Sequence, residues 1–426
     1  MAMNKGDNVI IDIDRLVSSI EDMMPHDLLT RPKCCIFKTQ AILYRNNEKA
    51  FVPNAFSIGP LHHGSLNLKA TEKIKVEYLQ SLVSRSLFPD TMLITLITSI
   101  IEVEEEAREC YAEAIDYSPE ELVKILVVDG CFLIEFFLRH AYEELRKEDD
   151  PISTMSCMSK FLGHDLILLE NQVPWMVLEI LFDLTKDSNH DMPLCLLVAY
   201  FFHYHFLSYR ILPPPQVQIT NLKGIKHFVD LFRKLSTLSS VEEKKERMQG
   251  WELLPSATSL LKSGIKFKRG TSESILDIKF IDGVLEIPPI VIHDLTETAF
   301  RNLISYEQCH PKCEARVTSY AMLLDNLIIT TKDMDILIDN QIVVNWLNHE
   351  DAAQLFNKLY HNTYVKDYYY QNICHEVNSF RRCRWPRWRA VLVRNYFNTP
   401  WAVLSTVAAF ILLILTLLQT VYSIKN

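Results

Sequence analysis

Glycine is scarce, with 10 among 426 residues. That argues against an all-β architecture and against the Gly-rich loops that cradle nucleotide phosphates. No G-x-x-x-x-G-K-[ST] stretch occurs, and no G-x-G-x-x-G follows a strand. A G-x-S-x-G elbow, an H-E-x-x-H helix and the kinase signature set are likewise missing. No Asn-x-Ser/Thr glycosylation acceptor is present. The first residues carry Asp7, Asp12, Asp14, Arg15, Glu21 and Asp22. These interrupt any apolar h-region, so no cleaved secretory signal is expected. The 10 cysteines follow no disulfide-framework spacing, which suits a reducing compartment. No internal repeat or low-complexity tract breaks the chain. Its net charge of −9 sits on the body, and an acidic body does not suit nucleic-acid binding.

Charge is also missing from the C-terminal end. No acidic residue follows Glu376, and no charge of either sign lies between Arg394 and Lys425. The segment 400–424 begins PWAVLSTVAAFILLILTLLQ. Its apolar length matches the roughly 20 residues that cross a ~30 Å hydrocarbon core. A single transmembrane helix is expected there, with Pro400, Trp401, Phe410, Leu413, Leu417 and Tyr422 as membrane-anchor residues. Just before it, residues 381–399 form a basic, aromatic juxtamembrane segment. Arg381, Arg382, Arg384, Arg387, Arg389 and Arg394 are the expected lipid-headgroup contacts, interleaved with Trp385, Trp388, Tyr396 and Phe397. Lys/Arg excess beside a span marks the cytoplasmic side, and Trp and Tyr prefer the headgroup level. The large N-terminal part is therefore expected in the cytosol, at the plasma membrane in preference to internal membranes.

The body, at 48% hydrophobic and 23% charged residues, has an ordinary globular composition. Its patterning is mainly α: a short helical segment in 1–30, then a large helical domain over 31–380. A boundary or variable loop is expected within 212–250, where Pro213–Pro215 and the charge run 242–247 lie. Ser118-Pro119-Glu120-Glu121 spells a capping box with Pro at the first helical position, opening a long apolar helix to about Lys147. Further helices are expected over 71–87, 92–114, 174–185, 194–212, 320–329, 333–338 and 350–360. The stretch 194–212 is too short for a second span and reads as a core helix. Ser256 caps a short helix ending at Gly264. Asp294 to Glu297 reads as a helix N-cap with an acidic first turn. One small β-hairpin is expected at about 275–287, where alternating residues flank Asp282-Gly283 and Pro288-Pro289 end the second strand.

Candidate chemistry is sparse. Cys309-His310-Pro311-Lys312-Cys313 has a metal-like spacing, but zinc needs four ligands and no second pair stands at a finger or ribbon spacing. It reads as a helix end with two free thiols. His62-His63 reads as a polar turn, and His164-Asp165 as a helix cap. Were the chain an enzyme, His62, His63, His164 and Asp165, with Glu170 nearby, would be the residues to build on. No catalytic, cofactor-binding or metal site is expected, and no cofactor.

Eight ordered motifs then point to a family. They include SIGPLHHG at 57–64, DGCFLIEFF at 129–137, DLILLENQVPW at 165–175 and PSATSLLKSGIKFK at 255–268. LDIKFIDGVLEIPPIVIHDLTETAFRNLISYEQC follows at 276–309, then VTSYAMLLDNLIITTKDMDIL at 317–337, LFNKL at 355–359 and NYFNTPWAVLS at 395–405. The chain resembles the plant domain of unknown function 247 family, also called uncharacterised protein family 0481, over nearly its whole length. Leu61 stands where the family usually has an aromatic residue, and Trp175 where it has Phe. Both substitutions keep an apolar contact. The resemblance implies a single-pass membrane protein with a C-terminal span and no established enzymatic activity. Some grass members resemble pollen-side determinants of self-incompatibility, which implies recognition of a partner. The leading expectation is a membrane-anchored protein that recognises another protein or signals, with membrane lipid as its second partner. The alternatives are a membrane-bound enzyme with an unfamiliar site, a structural scaffold at a membrane, or a self-incompatibility-type determinant. The motifs themselves read as fold-determining more than site-forming.

Overall fold

The computed structural model describes residues 12–23, 33–187, 189–206, 222–237, 250–272, 274–382 and 400–425. The helix Pro119–Ala141 organises the first half. Ser118 Oγ accepts the Glu121 N–H and the Glu121 carboxylate accepts the Ser118 N–H, so the capping box forms as spelled. Arg139 and His140 occupy the last turn, where positive charge complements the helix dipole. Almost every residue from Leu122 to Arg139 is buried, as in a helix surrounded by others. Around it pack the helices Lys69–Ser84, Pro89–Ile101, Trp175–Thr185 and Leu194–Phe206. The last of these buries Leu197, Val198, Phe201 and Phe202 and is a core helix. Phe201 meets Phe136 edge to face at 5.1 Å. Residues 207–212 lie outside the described residues.

The helix expected over 92–114 is broken. Val103 leaves helical backbone at φ −117°, and a separate short helix, Glu104–Glu109, follows. Within this helix Glu104 pairs with Arg108 four residues on, and Glu106 reaches Lys33.

The second half carries the β structure. Strands β1 (Lys266–Arg269), β2 (Lys279–Ile281) and β3 (Val284–Ile287) form a sheet in the order β1-β3-β2. The β2–β3 hairpin turns at Asp282 and Gly283, with φ of 49° and 79°. Two left-handed residues in a two-residue loop make a type I′ turn, which matches the twist of the strands. The first strand is shorter than expected. Ser274 Oγ accepts the Leu276 N–H and the Ser274 carbonyl accepts the Asp277 N–H. These local bonds hold 274–278 in a turn while Ile275, Leu276 and Ile278 are buried. Strand β1 pairs with β3 in parallel, and β4 (Ile290–Ile292) pairs in parallel with β5 (Val343–Asn345). The helices Thr296–Cys309, Arg316–Leu327, Thr331–Asp339 and His349–Leu359 pack beside them. Asp294 does not cap the first of these. Its carboxylate meets Lys160 at 2.8 Å on the surface, and Thr296 Oγ1 accepts the His293 N–H instead.

One buried apolar cluster runs from Phe56 to Val377. It includes Phe228, Leu231 and Leu235 of the helix Phe228–Thr237, which lies inside the 212–250 range. Residues 212–221 and 238–249 lie outside the described residues. Toward the N-terminus, the helix Ile13–Met23 exposes Ile13, Leu16, Val17 and Ile20 along one face. Toward the C-terminus, the helix Pro400–Lys425 contains a 21-residue stretch, Leu404–Ile424, long and apolar enough to cross a membrane.

Candidate functional site

Two places among the described residues bear on a site. The first is a buried cluster built by the motif segments at 57–64, 129–137 and 165–175. Lys75 is completely buried. Its Nζ donates to the Ser57 carbonyl at 2.6 Å and to Asp129 Oδ1 at 2.6 Å, and pairs with Glu72 at 2.7 Å. Burial alone would lower the Lys75 pKa, but the carboxylates of Asp129 and Glu72 outweigh it and raise it. Asp129 Oδ2 also accepts the Gly59 N–H at 2.8 Å.

Asp165 does a related job on the preceding residues. Its Oδ1 accepts the Asn54 N–H at 2.7 Å, and its Oδ2 accepts the Ala55 and Phe56 N–H groups at 2.8 and 2.7 Å. His164 Nδ1 touches the same carboxylate at 2.9 Å. Asp165 is therefore no helix cap. It lies inside the helix Ser156–Leu166 and gathers three backbone donors of a distant loop. Asn171 continues the series, accepting the Ile58 N–H and donating to the Phe56 and Asp165 carbonyls. Gln172 accepts the Phe228 N–H and donates to the Leu166 and Leu168 carbonyls. Glu170 accepts the Thr39 N–H at 2.9 Å, and burial raises its pKa. Gly59 closes the loop with φ of +75°, and a Cβ there would stand 2.2 Å from the Gln172 carbonyl oxygen. The charged and amide groups of these motifs are thus acceptors and donors for backbone, which buried peptide groups require.

Of the residues on which an enzyme reading would build, His164, Asp165 and Glu170 share this region with His62. Burial lowers the His62 pKa, with the Asp165 charge opposing the shift and Lys38 adding to it. His62 Nε2 and His63 Nδ1 are buried without a hydrogen-bond partner among the described residues, and the His63 ring meets Tyr117 edge to face at 5.8 Å.

The second place is an open cleft of about 940 Å³. One wall is the end of the helix Thr296–Cys309 with residues 310–316. The other is the segment 364–372. Gln308 ties the walls together, donating to the Tyr364 carbonyl at 3.0 Å and accepting the Tyr364 N–H at 2.8 Å. Arg316 pairs with Glu314 at 2.8 Å and stacks over Tyr369 at 5.1 Å. Lys312, Lys366 and Asp367 also line the cleft. At its floor, Glu307 accepts the Val317 N–H and the Thr318 N–H and hydroxyl. That carboxylate serves the first turn of Arg316–Leu327, so the helix end is already occupied by an anion. Cys309, His310 and Cys313 lie on this side at a helix end. Among the described residues, no group of three or more His, Cys, Asp or Glu is arranged to hold a metal ion.

Of the expected membrane residues, Trp401, Phe410, Leu413, Leu417 and Tyr422 are exposed on the helix that begins at Pro400. Arg381 and Arg382 end the helix Gln371–Arg382, and Arg382 meets Glu252 at 2.9 Å. Arg384, Arg387, Arg389 and Arg394 lie outside the described residues. Sequence reasoning did not single out Lys75, Asn302 or Glu307. Asn302 accepts the Leu169 N–H and donates to the Ala50 carbonyl. The available signal was Asp129 and Glu135 within an apolar helix, since a buried charge requires a partner.

The family DUF247, plant protein of unknown function, matches residues 36–415. The chain belongs to this family. It is similar to a UPF0481 protein of Arabidopsis thaliana, 25% identical over 429 aligned residues that cover 93% of this chain and 87% of the relative. A putative UPF0481 protein of the same plant is 23% identical over 491, covering 93% and 91%. No solved structure matches the chain. DUF247 motifs at 57–64, 129–137 and 165–175 therefore coincide with the buried polar cluster rather than with the open cleft.

Proposed function

We propose that this DUF247 protein is a membrane-anchored recognition protein whose cleft at 307–316 and 364–372 docks another protein. The observation that carries the proposal is a division of labour between the two polar regions. The polar motif residues are largely committed to internal hydrogen bonds, whereas the cleft keeps Lys312, Tyr364 and Lys366 exposed at its rim. Tyr and Arg are the side chains that most often anchor protein interfaces. The anchor in this reading is Leu404–Ile424, whose 21 residues reach about 31 Å at 1.5 Å per residue, near the thickness of a plasma-membrane hydrocarbon core. In this reading the basic run at 381–394 is attracted to anionic cytosolic lipid by about 1 kcal/mol per residue near the surface and keeps the body on the cytosolic side.

Proximity labelling with the intact protein in plant cells tests the recognition. Reproducible partners are expected, and they are lost when Tyr364→Ala and Lys366→Glu are combined. Labelling that finds no reproducible partner, or partners indifferent to both changes, refutes the cleft. Protease protection of an N-terminally tagged chain in sealed vesicles tests the topology. Digestion from the cytosolic face is expected; protection until the membrane is opened refutes the orientation.

A further inference from the structure

Cysteines 35 and 110 lie far apart in the chain and side by side in the fold. Ile36 and Tyr111 form an isolated parallel bridge. The Ile36 N–H donates to the Cys110 carbonyl and the Ala112 N–H to the Ile36 carbonyl, both at 2.9 Å. Cys35 and Cys110 each precede a bridged residue, so they occupy neighbouring register positions on the same side of that bridge. Paired strands lie about 4.8 Å apart, inside the roughly 4.4–6.8 Å Cα separation that a disulfide spans. The two side chains are close enough to couple electrostatically, both are thiols in this structure, and the Cys110 thiol donates to the Glu106 carbonyl at 3.5 Å. They belong to a small apolar cluster of their own, with Ile36 and Tyr111, apart from the main core.

We propose that Cys35 and Cys110 form a reversible disulfide, made by a hydroperoxide, that locks the segment 33–39 to the end of the helix Glu104–Glu109. The neighbouring Cys35 side chain, with Lys33 and Lys226 beyond it, holds the Cys110 thiol below its ordinary value against burial and the Glu106 charge. The same contact, together with burial, pushes the Cys35 thiol up. Cys110, the more exposed of the two, takes the first step and Cys35 resolves it. The Cys110 sulfur attacks one peroxide oxygen, the O–O bond breaks, and water (or the alcohol of an organic peroxide) leaves with the thiol proton. The Cys35 sulfur then attacks the sulfenic sulfur, and its proton leaves with the hydroxyl as water. Two thiols are oxidised by two electrons and one peroxide is reduced. Both residues are nearly buried, at 2% and 7% exposure, so reaction proceeds when the short bridge opens locally.

The experiment treats the purified full chain in nanodiscs with hydrogen peroxide, blocks remaining thiols with N-ethylmaleimide and maps tryptic peptides by mass spectrometry. Trypsin leaves Cys34 and Cys35 in one peptide, so a Cys34→Ser chain is run beside the natural one. A peptide pair joined through Cys35 and Cys110 is expected in both chains, lighter by two hydrogens than the free peptides and released by dithiothreitol. Cleavage after Lys33 and Lys38 is expected to slow on oxidation in the natural chain and to be indifferent to peroxide in Cys110→Ser. Recovery of Cys35 and Cys110 as maleimide adducts, under peroxide that oxidises the exposed Cys157, overturns the proposal. Pairing of either cysteine with another partner also overturns it. The natural-chain result stands independently of whether the serine variants fold.

Discussion

Asp165→Asn separates a scaffold role for the motif residues from a chemical one. The substitution keeps the shape of the side chain and removes its charge. In the native protein three backbone N–H groups converge on the carboxylate at 2.7–2.8 Å. In the variant one of the two oxygens becomes an NH2 group. The better amide orientation leaves the oxygen toward Ala55 and Phe56 and sets the NH2 against the Asn54 N–H. Two charge-assisted hydrogen bonds become neutral ones, at about 1 kcal/mol each. One N–H loses its acceptor, at roughly 1–3 kcal/mol more. The expected loss is therefore about 3–5 kcal/mol, a large part of a typical domain's stability. Urea unfolding of the full chain in nanodiscs, followed by tryptophan fluorescence, reads it as a lower midpoint at unchanged slope. A loss below about 1 kcal/mol would refute the claim that Asp165 organises the 54–56 loop by its charge.

Gly59→Ala meets both a left-handed backbone and the Gln172 carbonyl at 2.2 Å, so a loss of roughly 2–4 kcal/mol is expected by the same assay; wild-type stability would contradict so close an approach of the two segments. Lys75→Met leaves Asp129 buried and charged, with an expected cost of about 3–5 kcal/mol. Adding Asp129→Asn, which keeps an acceptor for the Gly59 N–H, is expected to recover part of it, and simple additivity of the two losses counts against the pairing. His227 is fully buried, and burial lowers its pKa to about 4, against about 6.5 unfolded. Between those values the unfolded chain binds the extra proton, so stability is complete above about pH 6.5 and falls toward pH 4, by about 3 kcal/mol from this residue. A pH series of urea midpoints checks this, and His227→Gln is expected to flatten that slope.

Local chemistry was legible wherever it closes within a few residues. The Ser118 capping box, the Ser256 cap and the Asp282-Gly283 turn are each specified by neighbours and each form. The core character of Leu194–Phe206 followed from the short apolar run and the two histidines, His203 and His205, within it. Long-range pairings were not legible. Strands β1, β4 and β5 are three or four residues long, too short to alternate visibly, and β4 finds its partner more than fifty positions away. Asp165 looked like a cap because a carboxylate near a helix end usually serves local N–H groups. Its actual partners are about 110 positions earlier, a distance at which no spacing rule operates. Lys75 was invisible for the same reason, since a lysine in an amphipathic helix ordinarily faces water.

The location of the motifs constrains where the proposed recognition can reside. A polar side chain holding a buried loop by several hydrogen bonds cannot also present itself to a partner without leaving those groups unsatisfied, at about 1–3 kcal/mol each. Asp129, Asp165, Asn171 and Gln172 are all in that position. A protein using them for binding would unfold part of its core to do so. The cleft carries no such constraint at its rim. Tyr364 is tied through its backbone to Gln308 while its ring stays exposed, and changes to an exposed ring ordinarily shift stability by no more than about 0.5 kcal/mol. The rim can therefore vary between relatives at little cost to the fold. A committed interior with a rim free to change is the arrangement that the proposed docking role requires.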